Sequence, residues 1–310
     1  MFEHVPVLLE ECMQALRVKP GGLYVDATLG GAGHSYEILR RSSPDGRLIG
    51  IDRDAAALQA AQARLSEFGD RARIVKGNFE DIVSIVEERQ LGPADGILAD
   101  LGVSSHQLDE ADRGFSYQHD APLDMRMDRS QALSAYDVVN TYGQKELADI
   151  IRKYGEERFA GRIASFIVRA RGKNPIRTTD QLADIIKAAV PAANRRQGGH
   201  PARRTFQGIR IEVNDELGAI ERLLENVLEI MKPGGRLAVI TFHSLEDRIV
   251  KQTFQRLLHP CTCPREAPVC TCGKLPQIRL ITRKPALASR TEVQMNPRSR
   301  SAKLRVAEKL

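Results

Sequence analysis

The stretch YVDATLGGAGHS, Tyr24 to Ser35, decides how the chain reads: a run of strand character passes directly into a glycine-rich turn and then into a helical pattern. In open α/β sheets the ligand crevice lies at the carboxyl ends of the strands, where glycine lets the backbone approach a ligand and adopt positive φ. Gly30, Gly31 and Gly33 are therefore expected to line a ligand. Asp52 closes the next strand-like run, RLIGID, where a carboxylate can accept from both ribose hydroxyls of an adenosine. These features together imply a nucleoside-containing cofactor.

Two cofactor classes compete for that turn. A nicotinamide dinucleotide also uses a glycine turn followed by an acid. Counted from Gly31, however, Tyr36 stands where the third glycine of that fingerprint would let helix and strand pack closely. S-adenosylmethionine has no pyrophosphate to cradle, so the spacing favours it. Phe79 follows the third strand-like run, where its ring can cover an adenine face or simply join the core. Asp100 ends the fourth, in DLGVSSHQL, where a carboxylate can orient the cofactor or accept a proton from an attacking amine. The competing role for Asp100 is a turn or helix cap.

Outward from this site the sequence alternates apolar runs with helical patterns, the signature of a parallel sheet covered on both faces. Strands are predicted at Leu23–Thr28, Arg47–Asp52, Ala72–Asn78 and Asp95–Leu101, with helices near 34–42, 54–68 and 79–90. The alternation stops at about residue 105. Amphipathic patterns such as KELADIIRKYGEERFAGRIASFIVRARG fill the chain to about 215, with Thr178 and Gln181 spaced as a capping box. A helix over 215–231 and the punctuation KPGG lead back to a strand at Arg236–Phe242, then to a helix capped by Ser244 and Asp247 that runs to about 258. IRLITRK (278–284) and AKLRVAEK (302–309) are expected to pair antiparallel at the sheet edge.

The fold class is thus α/β, Rossmann-like, with a seven-stranded, mostly parallel sheet of the class I methyltransferase kind and an inserted α-helical domain. Residues 1–105 and 215–310 would form the cofactor domain, and 106–214 a helical substrate-recognition domain. At 310 residues, 42% hydrophobic and 28% charged, the chain has the composition of a globular protein. It shows neither a leader-like start nor a run of about 20 apolar residues able to span a bilayer, so a cytoplasmic protein is expected.

The net charge of +6 is unevenly spread. Residues 283–310 hold eight basic side chains against two acids, as large an excess as the whole chain's. The stretch ANRRQGGHPARRTFQGIR contains Arg195, Arg196, Arg203, Arg204 and Arg210 and no acid. Guanidinium groups pair bidentately with phosphate oxygens, so both stretches suit a nucleic-acid partner; a plain solvated surface is the alternative. Phe115, Tyr117 and the RRTFQ segment are candidate stacking platforms for a nucleic-acid base, with ordinary packing inside the helical insertion as the alternative for each, the stronger one for Phe115.

The blocks HVPVLLEE, DATLGGAGHS, DLGVSSHQLD, RGFSY, PLDMRMD, YGEERFA, RTFQGIRI with VNDEL, TFHSLEDRIVK and NPRSRSAKLR, in that order, resemble the MraW family of small-subunit ribosomal RNA methyltransferases. The resemblance runs from His4 to Arg305. It implies methyl transfer from S-adenosylmethionine to N4 of the cytidine at conventional position 1402 of 16S rRNA, within the small ribosomal subunit. By motif it implies cofactor contacts at Ala32, Gly33, His34, Asp52, Phe79, Asp100 and Gln107, with Asp100 also the candidate for contacting the amine. His106 departs from the SSPQL of some relatives. His243, in TFHSLEDR, is a candidate for substrate or proton binding or for a structural role before a helix. A noncatalytic, cofactor-binding ribosome assembly factor is the alternative function.

Cys261, Cys263, Cys270 and Cys272 form C-x-C-x6-C-x-C. Four thiolates can satisfy tetrahedral zinc, although the usual pairs are spaced C-x2–4-C; reduced thiols or a redox-sensitive loop are the other readings. Cys12 reads as a buried helix residue.

Overall fold

The computed structural model describes residues 6–194, 199–264, 269 and 271–310, which divide into two compact units: residues up to Gly102 together with Leu217–Leu310, and Val103–Glu216. The first unit opens with α1 (Leu9–Leu16), then β1 (Leu23–Asp26), α2 (Gly33–Arg41), β2 (Arg47–Asp52), α3 (Ala55–Leu65), β3 (Ala72–Lys76), α4 (Ile82–Glu88) and β4 (Ala94–Asp100). Local chemistry sets several boundaries. Asp54 caps α3 by accepting from the Ala56 N–H at 3.1 Å. β1 ends at Asp26, two residues earlier than the apolar run suggests, because the Asp26 carboxylate accepts from the Thr28 N–H at 3.2 Å and turns the chain. β3 stops at Lys76, and Phe79 opens a 3-10 turn, Phe79–Asp81.

The second unit is helical: α5 (Ser105–Asp109), α6 (Ala135–Thr141), α7 (Gln144–Lys153), α8 (Ala160–Arg171), α9 (Thr179–Ala189) and α10 (Arg203–Asn214). It has its own core, in which Val138, Ile151, Ile163, Ile167, Leu182, Ile186, Phe206 and Ile209 interlock. Thr178 caps α9, but Gln181 reaches back to the Arg177 N–H (2.8 Å) and not to that of Thr178, so the expected capping box is open by one residue.

The first unit resumes with α11 (Glu216–Asn226), β5 (Met231–Thr241), α12 (Ser244–Leu258), β6 (Ile278–Leu280), β7 (Ala286–Leu287), α13 (Arg290–Met295) and β8 (Lys303–Lys309). β5 begins at Met231, immediately before KPGG and five residues before the predicted strand. Its pairing skips from Ala94–Met231 to Gly96–Arg236, so the Pro-Gly-Gly segment bulges out of a continuing strand, with Gly234 at φ 78. The sheet order is β3-β2-β1-β4-β5-β8-β6, with β7 beside β8. The strands from β3 to β5 are parallel; β8 runs antiparallel between β5 and β6. Among the described residues there are eight strands where seven were expected: β7 is two residues long and follows Pro285, too short to leave a periodic signal.

Alternate residues of each strand face opposite ways. Val25, Ile49, Ile51, Ile97 and Val239 pack with Ile85 of α4, Leu223 of α11 and Phe254 of α12. Tyr24, Leu48, Leu98, Ala238 and Ile240 pack with Met13 of α1, Ile38 of α2 and Leu65 of α3. Three helices therefore cover each face, and the strands between them read as near-continuous apolar runs.

Candidate functional site

β2 lies on one side of β1 and β4 on the other, so the strand order reverses between β1 and β4, where an open α/β sheet leaves a crevice at its carboxyl ends. Asp26, Asp52 and Asp100 are the last residues of β1, β2 and β4. Backbone and side-chain bonds tie these ends together. The Ala27 N–H donates to Leu98 O (2.8 Å), and the Asp100 N–H donates to Thr28 Oγ1 (2.6 Å).

The glycine turn is held by Asp52. Its Oδ2 accepts from the Gly30 N–H and its Oδ1 from the Asp54 N–H, each at 2.8 Å. Burial nevertheless raises the Asp52 carboxyl to about 6, with those two N–H groups working against the rise. Gly30 and Ala32 both adopt left-handed conformations, φ 48 and 56, and Ala32 leads into α2 with no side chain capping that helix. Gly33 is needed for space, since a Cβ there would lie 2.4 Å from Pro6 Cγ; at Gly31 a Cβ would meet nothing within 4 Å.

Beneath the turn lie buried acids. Asp26 is 1% exposed and accepts from Ser35 Oγ at 2.6 Å. The Asp100 carboxyl is pushed well above the usual carboxylate range, first by burial and then by the charges of Asp26 and Glu246, and its Oδ1 is buried with no hydrogen-bond partner. His34 does not neutralise it. The His34 Nε2 lies 2.9 Å from Val7 O, which can only accept, so the proton sits on Nε2; burial holds the imidazole down at about 4, and the ring is neutral at pH 7. Its Nδ1 therefore presents a lone pair to Asp100 Oδ2 at 3.8 Å. Asp26, Asp52 and Asp100 thus all hold protons more tightly than ordinary carboxylates, and a cation placed among them would favour their charged form where a pyrophosphate would not.

Of the residues singled out in the sequence, Ala32, Gly33, His34, Asp52 and Asp100 fall in this region of the first unit. Phe79 is half-buried against the core on the α4 side of the sheet. Gln107 belongs to the other unit, where its Oε1 accepts from the Ser104 N–H (3.1 Å) and completes the capping box of α5. Asp26, Thr28 and Glu246 were missed. Asp26 was hidden because the apolar run was read through to Thr28, which placed the acid inside a strand instead of at its end.

His243, and not Ser244 with Asp247, caps α12. Its Nδ1 accepts weakly from the Glu246 N–H at 3.5 Å, while Glu246 Oε2 accepts from the N–H groups of Phe242 and His243 at 2.7 and 3.1 Å. Asp247 instead pairs with Arg305 (2.7 Å) and Lys303 (3.2 Å), and Lys309 donates to Leu228 O and Met231 O. Three of the eight basic side chains of the 283–310 stretch, Lys303, Arg305 and Lys309, are thus committed within the fold. Arg283, Lys284, Arg290 and Arg300 are exposed.

In the helical unit Phe115 is 6% exposed and belongs to the core, so it is no base platform. Tyr117 stacks on His200, ring centroids 4.5 Å apart, and meets Phe206 edge-on. Arg203 and Arg204 are exposed on the first turn of α10, and Arg210 pairs with Glu216 at 2.8 Å. Arg195 and Arg196 lie outside the described residues. Cys12 is fully buried in α1. Cys261, Cys263 and Cys272 follow α12 in the first unit, and Cys270 lies outside the described residues.

The sheet order, the glycine turn on a strand-end acid and helices on both faces define a Rossmann-like α/β fold of the methyltransferase type. More particularly, the chain belongs to the MraW methylase family, whose model matches residues 1–310. It is 64% identical over 309 residues to "Ribosomal RNA small subunit methyltransferase H" of Symbiobacterium thermophilum, covering 100% of this chain and 97% of that protein. Proteins with the same description from Clostridioides difficile and from Geobacter sp. strain M21 are each 57% identical over 309 residues, covering 100% of this chain and 99% of each relative. Among the described residues no helix is long and apolar enough to cross a membrane.

Proposed function

We propose that the protein methylates 16S rRNA of the small ribosomal subunit, transferring a methyl group from S-adenosylmethionine to N4 of the cytidine at conventional position 1402. The observation that carries this reading is the unpartnered, buried Asp100 Oδ1 among the carboxylates of Asp26 and Glu246. That arrangement fits a cationic donor. The family and the relatives' description support ribosomal RNA as the substrate, and the resemblance on which the motifs stand supports cytidine N4.

When bound, S-adenosylmethionine supplies a methyl group on a positively charged sulfur. The chain's own part is to hold, orient and dry the site. Asp52 fixes the glycine turn and keeps lone pairs for ribose hydroxyls; Ala32, Gly33 and His34 line the entry to α2; Phe79 covers the adenine. Asp100 is the catalytic candidate. The cytosine amine is a weak nucleophile, because its lone pair is delocalised into the ring, so alignment must supply much of the rate, up to about 7–11 kcal/mol. Asp100 would orient that amine, accept its hydrogen bond and receive the proton that N4 gives up when methylated, the cofactor's sulfur keeping the electron pair of the bond to the departing methyl. The helical unit, with Arg203 and Arg204 exposed at the start of α10, is assigned to gripping the RNA backbone.

The test is transfer of tritium from methyl-labelled S-adenosylmethionine to small ribosomal subunits that have never been methylated at this site, with the product read by nucleoside chromatography. N4-methylcytidine is the expected product. Tight cofactor binding without label transfer would replace the enzyme with a noncatalytic assembly factor, and label on another base would sink the cytidine assignment.

A further inference from the structure

α12 ends at Leu258, and the chain returns to regular structure only at Ile278. The intervening loop is tied at its two ends: the His259 N–H donates to Gln255 O (2.9 Å) and the Gln277 N–H to Leu257 O (3.0 Å). Among its described residues Val269 is 70% exposed and Leu275 is 78% exposed, so burial of these two side chains contributes almost nothing to holding the excursion in one shape.

What converges there instead is sulfur. The Sγ atoms of Cys261, Cys263 and Cys272 all lie within 4.8 Å of one another, and those of Cys261 and Cys272 are 3.8 Å apart. For a zinc–sulfur bond of about 2.3 Å, the edge of a tetrahedron is about 3.8 Å. A disulfide joins sulfurs in twos and gives no reason for a third to be gathered beside them. The Thr271 N–H donates to Cys263 Sγ at 3.3 Å, the kind of outer hydrogen bond that steadies a metal-bound thiolate. Pro260 and Pro264 stiffen the chain around the first pair, and Gly273 turns it at φ 65 just beyond Cys272.

We propose that Cys261, Cys263 and Cys272 bind one zinc ion through their thiolates, a structural centre that staples the loop between α12 and β6. Three soft sulfur donors and one further donor complete the tetrahedron. Binding releases the thiol protons and holds the loop through metal–sulfur bonds. The zinc centre draws on no residue assigned to the cofactor, and it holds whether or not the RNA assignment does.

The test is metal content of the full chain, purified under reducing conditions and equilibrated with zinc before removal of the excess. About one zinc per chain is expected. Cys261→Ser and Cys272→Ser should each weaken zinc retention in a chelator competition by at least about tenfold, while Cys12→Ala, a change at a buried thiol in α1, should leave it unaltered. Cobalt substituted for zinc should show intense sulfur-to-metal charge transfer and the visible bands of tetrahedral cobalt, both lost in Cys272→Ser. Folded, fully reduced protein with no bound zinc overturns the proposal. So do zinc retention that is the same in the serine variants, a disulfide among the three thiols in fresh protein, or iron with acid-labile sulfide in place of zinc.

Discussion

Asp100 is asked to hold a charge where its surroundings resist one. Burial and the neighbouring carboxylates of Asp26 and Glu246 raise its affinity for a proton, and neutral His34 turns a lone pair toward it. A cation placed against the carboxylate reverses that preference. The free protein therefore carries the Asp100 proton well above the usual carboxylate range, and binding a sulfonium donor expels it. Cofactor affinity should fall as the pH drops below the raised value. Calorimetry in buffers of different ionisation heat should show a proton released by the native protein, with that component missing in Asp100→Asn. The same variant should bind about 10- to 100-fold more weakly, the worth of one charge-assisted hydrogen bond. Equal heats in all buffers for the native protein would contradict the arrangement.

Asp52 behaves differently, because its oxygens already serve Gly30 and Asp54. Asp52→Ala should reduce cofactor affinity and also lower stability by about 1–3 kcal/mol through the stranded N–H groups, which urea titration would measure. The native protein binds the Asp52 proton more tightly than the unfolded chain, about 6 against 3.8, so this residue makes stability decline as pH rises through that window; the variant should lose that decline. Asp52 and Asp100 were legible because each closes an apolar run. Glu246 was not, since nothing in TFHSLEDR says that this acid, and not its neighbour Asp247, turns inward.

At the level of the element, the interiors read clearly and the ends did not. The buried parallel strands left unbroken apolar runs that any pattern would find. Caps depend instead on which of several adjacent polar residues wins the backbone: His243 over Ser244 at α12, and Arg177 over Thr178 as the partner of Gln181. KPGG misled for a related reason, since proline and glycine mark irregular backbone without saying whether the strand ends or bulges. The α12 entry is testable. Glu246 is fully buried and accepts from two backbone donors, so Glu246→Ala should destabilise by about 2–4 kcal/mol, read as a lower urea midpoint. A change below about 0.5 kcal/mol would mean that those donors find other partners.

At the level of the whole molecule, two separate cores lead to a separable prediction. The first unit holds every residue assigned to the cofactor except Gln107, and the second has its own apolar interior. Replacing residues 103–216 by a short flexible linker should leave a folded first unit that still binds S-adenosylmethionine within about tenfold of native affinity and no longer methylates ribosomal RNA. An excised variant that retains full transfer would remove the helical unit from substrate recognition. The place where the sheet pattern stopped and resumed was plain in the sequence, whereas the inserted unit's detailed packing was not, because amphipathic stripes show which faces are buried without saying against what.

The placement of β8 has a consequence for biosynthesis. Residues 303–309 are threaded between β5 and β6, so three strands depend on the final segment for their neighbours. A ribosome making this chain releases the helical insert as a contiguous, finished piece while the sheet is still open beyond β5. The β5 edge can be covered only after residues 303–309 have been translated, so a nascent chain arrested before Lys303 should expose apolar surface and attract chaperones, even though all the glycine-turn chemistry has long since been made.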